Sequence, residues 1–448
     1  MKHGPCGPVH TDTRSLRKGD WFLALSGDRF DGHDFLEVAS ECGCAGAVAK
    51  HVPEGWERGF IRVEDGLVAL QALAKNLREH FEGPVVCITG SCGKTTAKEM
   101  TTLVLQAGLG IVHQTKGNLN NHVGVPLSIL STPAAADAMV LELGMSAAGE
   151  ISLLTGLAQP SVRVVTNVGH AHIASFADGL DGVAKAKAEI LEGLRESDVV
   201  VLNADDERVA IMGKAACKAQ VKTFGTGIGA DIRILEVAPA GNHGLHTHIK
   251  LLETCSDKVS VIKLQCPGKH LAINAALAVA VGTALSVTFE ECCFALQGYQ
   301  SLGMRLKAEA VKDGNCLLLD DSYNANPSST ANALEVLANV SHPGRRIVAL
   351  GDMLELGDTA YVEHEKILHT CLSGPYDILA MLGPQYKAAA QIACKYPHGK
   401  ILIFADTPEV LASQLLGIAK DGDVFLVKGS RSMRMDVVAH KLRGMKKL

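Results

Sequence analysis

The string Gly90-Ser91-Cys92-Gly93-Lys94-Thr95-Thr96 follows an apolar run at residues 85–89 and leads into a helical pattern from Ala97. Strand, glycine turn, Lys-Thr and helix are the parts of a phosphate cradle. The glycines let backbone N–H groups approach phosphate oxygens, and the helix N-terminus adds the positive end of a dipole. Lys94 is placed to reach the outer phosphates of a nucleotide, and the Thr95 hydroxyl to ligate Mg²⁺. The spacing is tighter than in the general phosphate loop, because Ile88 stands where that loop has its first glycine. A chance turn is the alternative, but the strand–helix context points to nucleotide binding.

Other groups with chemistry lie downstream. Glu142 closes the apolar run 139–141. A carboxylate at the C-terminal edge of a parallel strand faces the crevice where ligands sit and suits Mg²⁺; an ordinary solvated strand-end Glu is the bland reading. The run 164–166 enters a loop carrying His170 and His172. That spacing suggests zinc but lacks a Cys or acidic partner, so a locally satisfied loop His is the default for each. Lys185 and Lys187 share a helical stretch and point to different sides of it; helix lysines are usually solvated. Asn274 lies in an Ala-rich helix, as a packed amide or a ligand contact. Arg305 stands at a junction where a guanidinium could bridge phosphates on domain closure, or simply be a linker Arg. Asp321, Tyr323 and Asn324 follow the run 317–319, well placed to read a nucleotide from the far side of a cleft, with an Asn-Pro turn as the alternative. Lys428, Ser430 and Arg431 offer cations and a hydroxyl to carboxylates, or form a basic surface loop. Asn118, Asn120 and Asn121 supply amides beside the phosphate loop.

Three segments must position these groups. Residues 1–83 end in a helical pattern at 67–81 whose apolar positions recur every three or four residues. Residues 84–303 alternate apolar strand runs (85–89, 138–143, 162–166, 199–202) with helical patterns, as in a parallel sheet covered on both faces. Within them, residues 231–264 alternate in the manner of an antiparallel excursion. Residues 304–448 repeat the strand–helix alternation, with runs at 316–319, 347–350, 378–382, 401–404 and 424–427 and helical patterns at 328–337 and 408–418, and predict a Rossmann-like doubly wound domain. The class is α/β in three domains. At roughly 150 residues per domain, 448 residues suit that count. A net charge of −5 argues against nucleic acid as a partner, and no apolar stretch approaches the ~18 residues of a membrane span. No secretory signal pattern opens the chain. The 13 cysteines lack a CxxC pair of pairs, so they read as free thiols in a reducing cytoplasm, with a zinc site as the alternative.

The shortened loop TGSCGKTT resembles that of the Mur ligase family, ATP-dependent amide-forming enzymes of cell-wall synthesis. The strings DTRSLRKGDWFLALSGDRFDGHDF, GNLNNHVGVPLSIL, ELGMSAAGEIS, DDSYNANPSS, GDMLELG and KGSRSMRMD are collinear with one branch of that family from about Thr11 to Val438. That branch adds D-Ala-D-Ala to UDP-MurNAc-tripeptide. The resemblance implies two small-molecule substrates, ATP, two Mg²⁺ ions and a cytoplasmic monomer. It implies metal binding by Thr95, Glu142, His172 and a carbamylated Lys187, with His170 a bystander and Lys185 structural. It implies nucleotide contacts from residues 90–96, Asn274, Arg305, Asp321, Tyr323 and Asn324. For Asn274 the local GxHN…N element departs from the family at Leu271. Thr13, Arg14, Ser26, Asp31 and His33 would face UDP, in a first lobe shortened at its start. Asn118, Asn120, Asn121, Lys428, Ser430 and Arg431 would meet the muramoyl-peptide and phosphates. The rivals are a sibling ligase that adds a diamino acid to UDP-MurNAc-dipeptide, whose usual DNPR string is absent here, a nucleotide switch or kinase, and an inactive ATP-binding scaffold.

Overall fold

Along the strand Val85–Thr89 every residue is buried. Val86 and Ile88 share a core with Met100, Val104 and Ala276, whereas Val85 and Cys87 share another with Ile129, Leu154 and Ala186. A period of two with both faces apolar is the requirement of a central parallel strand covered by helices on each side. The computed structural model describes residues 7–27, 30–301, 303–311, 315–393 and 399–445.

The strand lies inside a nine-stranded sheet with the order Val112–Gln114, Ala138–Glu142, Val85–Thr89, Val162–Val165, Val199–Asn203, Gln220–Gly225, Ile232–Ala240, His246–Glu253, Lys258–Leu264. Pairing is parallel through Ile232–Ala240 and antiparallel for the last two strands. The expected antiparallel excursion is therefore a meander continuous with the main sheet. The helices Lys94–Leu109 and Leu271–Ala284 cover one face. In the second of these, eleven positions are buried and most are Ala or Val, so it is apolar all round and fits as an interior helix.

Ahead of this sheet, four parallel strands run in the order Val9–His10, Trp21–Leu23, Gly46–Ala49, Gly59–Arg62. The helix Gly66–Glu79 follows, capped by Asp65, whose carboxylate accepts from the Leu67 and Val68 amides. Near its end the buried Arg78 guanidinium donates to the carbonyls of Phe81, Ala158 and Gln159, tying this lobe to the central unit. After the central sheet come six strands in the order Lys307–Val311, Cys316–Asp321, Val424–Lys428, Arg346–Gly351, Ile378–Leu382, Ile401–Ala405, of which only the first pair is antiparallel. Helices Pro327–Asn339 and Ala360–Ser373 pack on one face, Pro408–Ile418 and Met435–Arg443 on the other, as a doubly wound arrangement requires.

Each apolar run read from sequence falls on a strand, with 138–143 and 162–166 ending one residue past it. Strands without such a run include all those of the first lobe, which are only two to four residues long, and Val112–Gln114, Gln220–Gly225 and Lys307–Val311, which carry polar or charged residues (His113, Lys222, Glu309) that break the hydrophobic pattern. The expected boundary at residues 83/84 falls between the helix Gly66–Glu79 and the strand Val85–Thr89, and that at 303/304 falls between the helix Phe289–Ala295 and the strand Lys307–Val311. Among the described residues no helix is long and apolar enough to cross a membrane.

Candidate active site

The C-terminal ends of Val85–Thr89, Ala138–Glu142 and Val162–Val165 lie side by side, and the residues after them build one wall of a cleft. Gly93 adopts φ +83, a left-handed conformation that suits glycine, and a Cβ there would stand 2.8 Å from Asn274 Oδ1. The helix Lys94–Leu109 starts at once, and no side chain caps it. The first-turn amides of Lys94, Thr95 and Thr96 are therefore left for an anion. Two amides earlier in the loop, those of Ser91 and Cys92, are already spent. Ser91 N–H donates to Asn167 O (3.0 Å) and Cys92 N–H to Asn167 Oδ1 (2.9 Å), while Asn167 Nδ2 and Thr166 Oγ1 both donate to Cys92 O. Ser91 Oγ accepts from Gly169 N–H (2.8 Å) and donates to Gly169 O. The loop is thus preformed, and its cradle is the helix start rather than the whole turn. Lys94 Nζ bends back onto Gly90 O at 2.7 Å.

Beside the loop, Thr95 Oγ1 donates to Glu142 Oε2 and Asn120 Nδ2 to Glu142 Oε1, both at 2.8 Å. Glu142 is buried, and its own amide donates to Thr115 Oγ1. Lys98, one turn beyond Lys94, is buried with Nζ on Thr115 O at 2.7 Å. Hydroxyl and carboxylate in contact make a hard-oxygen pair of the kind Mg²⁺ prefers. Lys187 is 2% exposed, and among the described residues its amine has no hydrogen-bond or ion-pair partner. Burial, and after it the charge of Lys94, pushes that amine well below the usual lysine range. Lys185, by contrast, is exposed and pairs with Asp178. His172 lines the cleft, has φ +60 and places Nδ1 2.7 Å from Glu355 Oε2 of the C-terminal domain. Burial lowers its pKa, against the neighbouring Glu355 charge. Among the described residues no three His, Cys, Asp or Glu side chains converge as a metal cluster.

The opposite wall comes from the six-stranded sheet. The cleft between the two has a volume of about 450 Å³ and is lined by Lys94, Thr95, Glu142 and His172 on one side and by Arg305 and Tyr323 on the other. The Arg305 guanidinium lies 4.2 Å from the centre of the Tyr323 ring, a cation–π contact. Strand register sets Asp321 opposite Lys428. Lys428 Nζ donates to Asp321 Oδ2 (2.6 Å) and to Asn324 O (2.9 Å). Burial raises the Asp321 pKa, while Lys428 and Arg305 oppose the rise. Ser430 Oγ accepts from Leu354 N–H and donates to Ala325 O. Lys428 and Ser430 are therefore engaged internally and buried, and of the 428–431 group only Arg431 is exposed. Asn121 Oδ1 caps the helix Gly124–Leu130, and Asn118 offers its carbonyl to Asn120 N–H.

In the first lobe, Ser26 donates to Asp31, and His33 Nδ1 lies 2.6 Å from the same carboxylate. These hydrogen bonds, led by those from His33, hold Asp31 down to about 2. His33 also stacks on His51 with ring centres 4.5 Å apart. Arg14, next to Thr13, forks onto Asp12. None of these residues lines the cleft between the two large sheets. The sequence reading missed Asn167, Thr115 and Lys98; Glu355 lies in the string 351–357 expected to line the mouth at the peptide end of the site, but its pairing with His172 was not foreseen. Asn167 carried a usable signal: it stands just past the C-terminal edge of a parallel strand, the position that singled out Glu142.

Comparison with known proteins accords with this geometry. Residues 88–282 match the Mur ligase middle domain, and residues 304–431 match the Mur ligase glutamate ligase domain. A UDP-N-acetylmuramoyl-tripeptide–D-alanyl-D-alanine ligase of Bacillus subtilis is 35% identical over 97% of this chain and 92% of its own length. The Escherichia coli protein of that name is 34% identical over 97% and 93%. Among solved structures, an Acinetobacter baumannii MurF superposes with a TM-score of 0.86 at 32% identity, covering 98% of this chain and 93% of the other. A Thermotoga maritima MurF ligase in complex with ADP gives 0.84 at 28% identity over 99% of both chains.

Proposed function

The chain belongs to the Mur ligase family, and on that premise we propose how its residues perform the reaction it carries out, the ATP-dependent joining of D-alanyl-D-alanine to UDP-N-acetylmuramoyl-tripeptide in peptidoglycan precursor synthesis. One observation carries the proposal: a single cleft has a phosphate loop and the Thr95–Glu142 pair on one wall and Arg305, Asp321, Tyr323 and Asn324 on the other.

The first-turn amides and Lys94 hold the outer phosphates of ATP. Asn274, Asp321, Tyr323 and Asn324 take the nucleoside, and Arg305 spans the cleft toward the phosphates. The substrate's terminal carboxylate attacks the γ-phosphorus and ADP leaves, giving an acyl phosphate. The amine of D-Ala-D-Ala then attacks the acyl carbon and phosphate leaves, forming the amide. Lys94 stabilises negative charge at the transferring group, and the two walls keep water from the acyl phosphate. Protein nucleophiles are not used, so the cysteines have no covalent part.

Thr95, Glu142, His172 and Lys187 fit magnesium. The first two already form a hard-oxygen pair, and the third donor is an imidazole at the same cleft. The amine of Lys187, unpartnered among the described residues and with its pKa lowered by burial, can in its neutral form attack carbon dioxide, forming an N–C bond and releasing a proton, to become a carbamate. Two Mg²⁺ ions held there would neutralise phosphate oxygens during transfer. Ser26, Asp31 and His33, with Thr13 and Arg14, take the UDP end. Asn118, Asn120, Asn121 and Arg431 flank the peptide, and Lys428 and Ser430 act from behind by fixing the loops they touch. The units are residues 1–83, 84–303 and 304–448, working as a monomer in the cytoplasm, where ATP and nucleotide-linked precursors are found.

The test is release of ADP and phosphate with each substrate omitted in turn. Release that requires both UDP-MurNAc-tripeptide and D-Ala-D-Ala supports the proposal; equal release with either one alone, or with neither, overturns it.

A further inference from the structure

One contact between the central and C-terminal units joins two residues with unusual backbones. His172 has φ +60 and Glu355 has φ +65, both in the left-handed region that non-glycine residues seldom occupy. Such conformations are costly, persist only where the surroundings hold them, and cluster at working sites. Here they place His172 Nδ1 2.7 Å from Glu355 Oε2. The neighbouring loops approach just as closely. Gly357, at φ +52, lies so near Ala174 that a Cβ on it would stand 2.8 Å from the alanine methyl. The fit between residues 173–175 and 357–359 thus permits only glycine at that point.

We propose that Glu355 is a positioning residue for His172, delivered by the C-terminal domain, so that closure of the cleft completes the cation site on the central domain. A carboxylate can only accept in this contact, so Nδ1 carries the hydrogen, and in the neutral ring Nε2 then keeps its lone pair. A carboxylate behind an imidazole fixes its tautomer and orientation and makes the other nitrogen a better donor to a cation. Glu355 thereby gives the C-terminal domain a means of organising the metal side of the site without entering it. The same contact connects closure around the nucleotide with readiness of the cation site, so neither needs to precede the other by much. The inference rests on the proposed role of His172 as a metal ligand.

The experiment measures Mn²⁺ affinity of the full-length, ADP-bound protein by electron paramagnetic resonance of the free ion, with Glu355→Ala, Glu355→Gln and His172→Ala beside the unsubstituted chain. Glu355 is exposed at 65% of its side chain, so its replacement leaves the cores untouched. Glu355→Ala should weaken Mn²⁺ about 10- to 100-fold, the range for loss of such a supporting group. Glu355→Gln, whose amide oxygen still accepts from Nδ1–H, should stay closer to the unsubstituted protein. If Glu355→Ala keeps its Mn²⁺ affinity while His172→Ala loses it, the role of Glu355 is refuted and the ligand reading stands. If His172→Ala also keeps its affinity, the ligand reading falls and takes this inference with it.

Discussion

Lys187 offers a test in which stability and activity should move in opposite directions. Its amine is buried, unpartnered among the described residues and held well below the usual lysine range, chiefly by burial. A buried donor with no acceptor costs about 1–3 kcal/mol. Methionine has a similar length and no polar head, so Lys187→Met should stabilise the central unit by about that amount, or roughly 2–4 °C of Tm per kcal/mol. The gain should depend on pH. Between the lowered folded pKa and the unfolded value of about 10.4, the unfolded chain holds a proton that the folded chain lacks. The unsubstituted protein therefore gains stability as pH rises through that window, by up to about 1.4 kcal/mol per unit. The Met variant lacks this term, so its advantage is largest at the acid end and shrinks toward the alkaline end. Thermal melts across the window in carbon-dioxide-free buffer read this directly. Phosphate release by Lys187→Ala should fall about 100-fold or more and recover in part with formate or acetate, which fit the vacated space. A Met variant that melts lower throughout, or a stability gap independent of pH, would refute the unpartnered neutral amine. Undiminished turnover in Lys187→Ala would refute its part in the reaction.

Lys94→Ala should reduce phosphate release by about 10²–10³-fold with little change in Tm, because among the described residues the only hydrogen bond of its amine is to the Gly90 carbonyl; full activity would overturn the placement of the loop. Asn167→Ala removes the amide that clasps Cys92 N–H and O, and should weaken ADP in calorimetry by about 5- to 150-fold, equivalent to the ~1–3 kcal/mol of stranded buried groups. Lys428→Met leaves Asp321 without its counter-charge and should destabilise the C-terminal domain by about 3 kcal/mol in urea unfolding. The double variant Lys428→Met/Asp321→Leu should recover most of that loss, as a coupled pair does.

What could be read without coordinates was set by distance along the chain. The loop at 90–96 announces itself because strand, turn and helix are contiguous, and Glu142 because one end of an apolar run is visible locally. Their partners are not local. Thr95 meets Glu142 47 positions away, and Asp321 meets Lys428 107 positions away. Those distances close only once the sheet order is known, and that order places Val85–Thr89 between strands that come later in the chain. The same limit explains why Lys428 read as a substrate contact: a Lys past a strand end looks free until its register opposite Asp321 is set. It also explains why Glu355, in a string expected to line the mouth of the site, had no foreseeable partner. Nothing in the GDMLELG string says which other domain it faces, and the contact with His172 exists only because two separately folded sheets meet across one cleft. Local chemistry thus pointed to residues that the fold brings to both walls of the cleft, but not to the groups that hold them. The contact that couples the walls, Glu355 with His172, is legible only as geometry, whereas Asn167 braces the loop within one wall; substitutions at the two positions therefore separate the shape of the loop from the meeting of the domains.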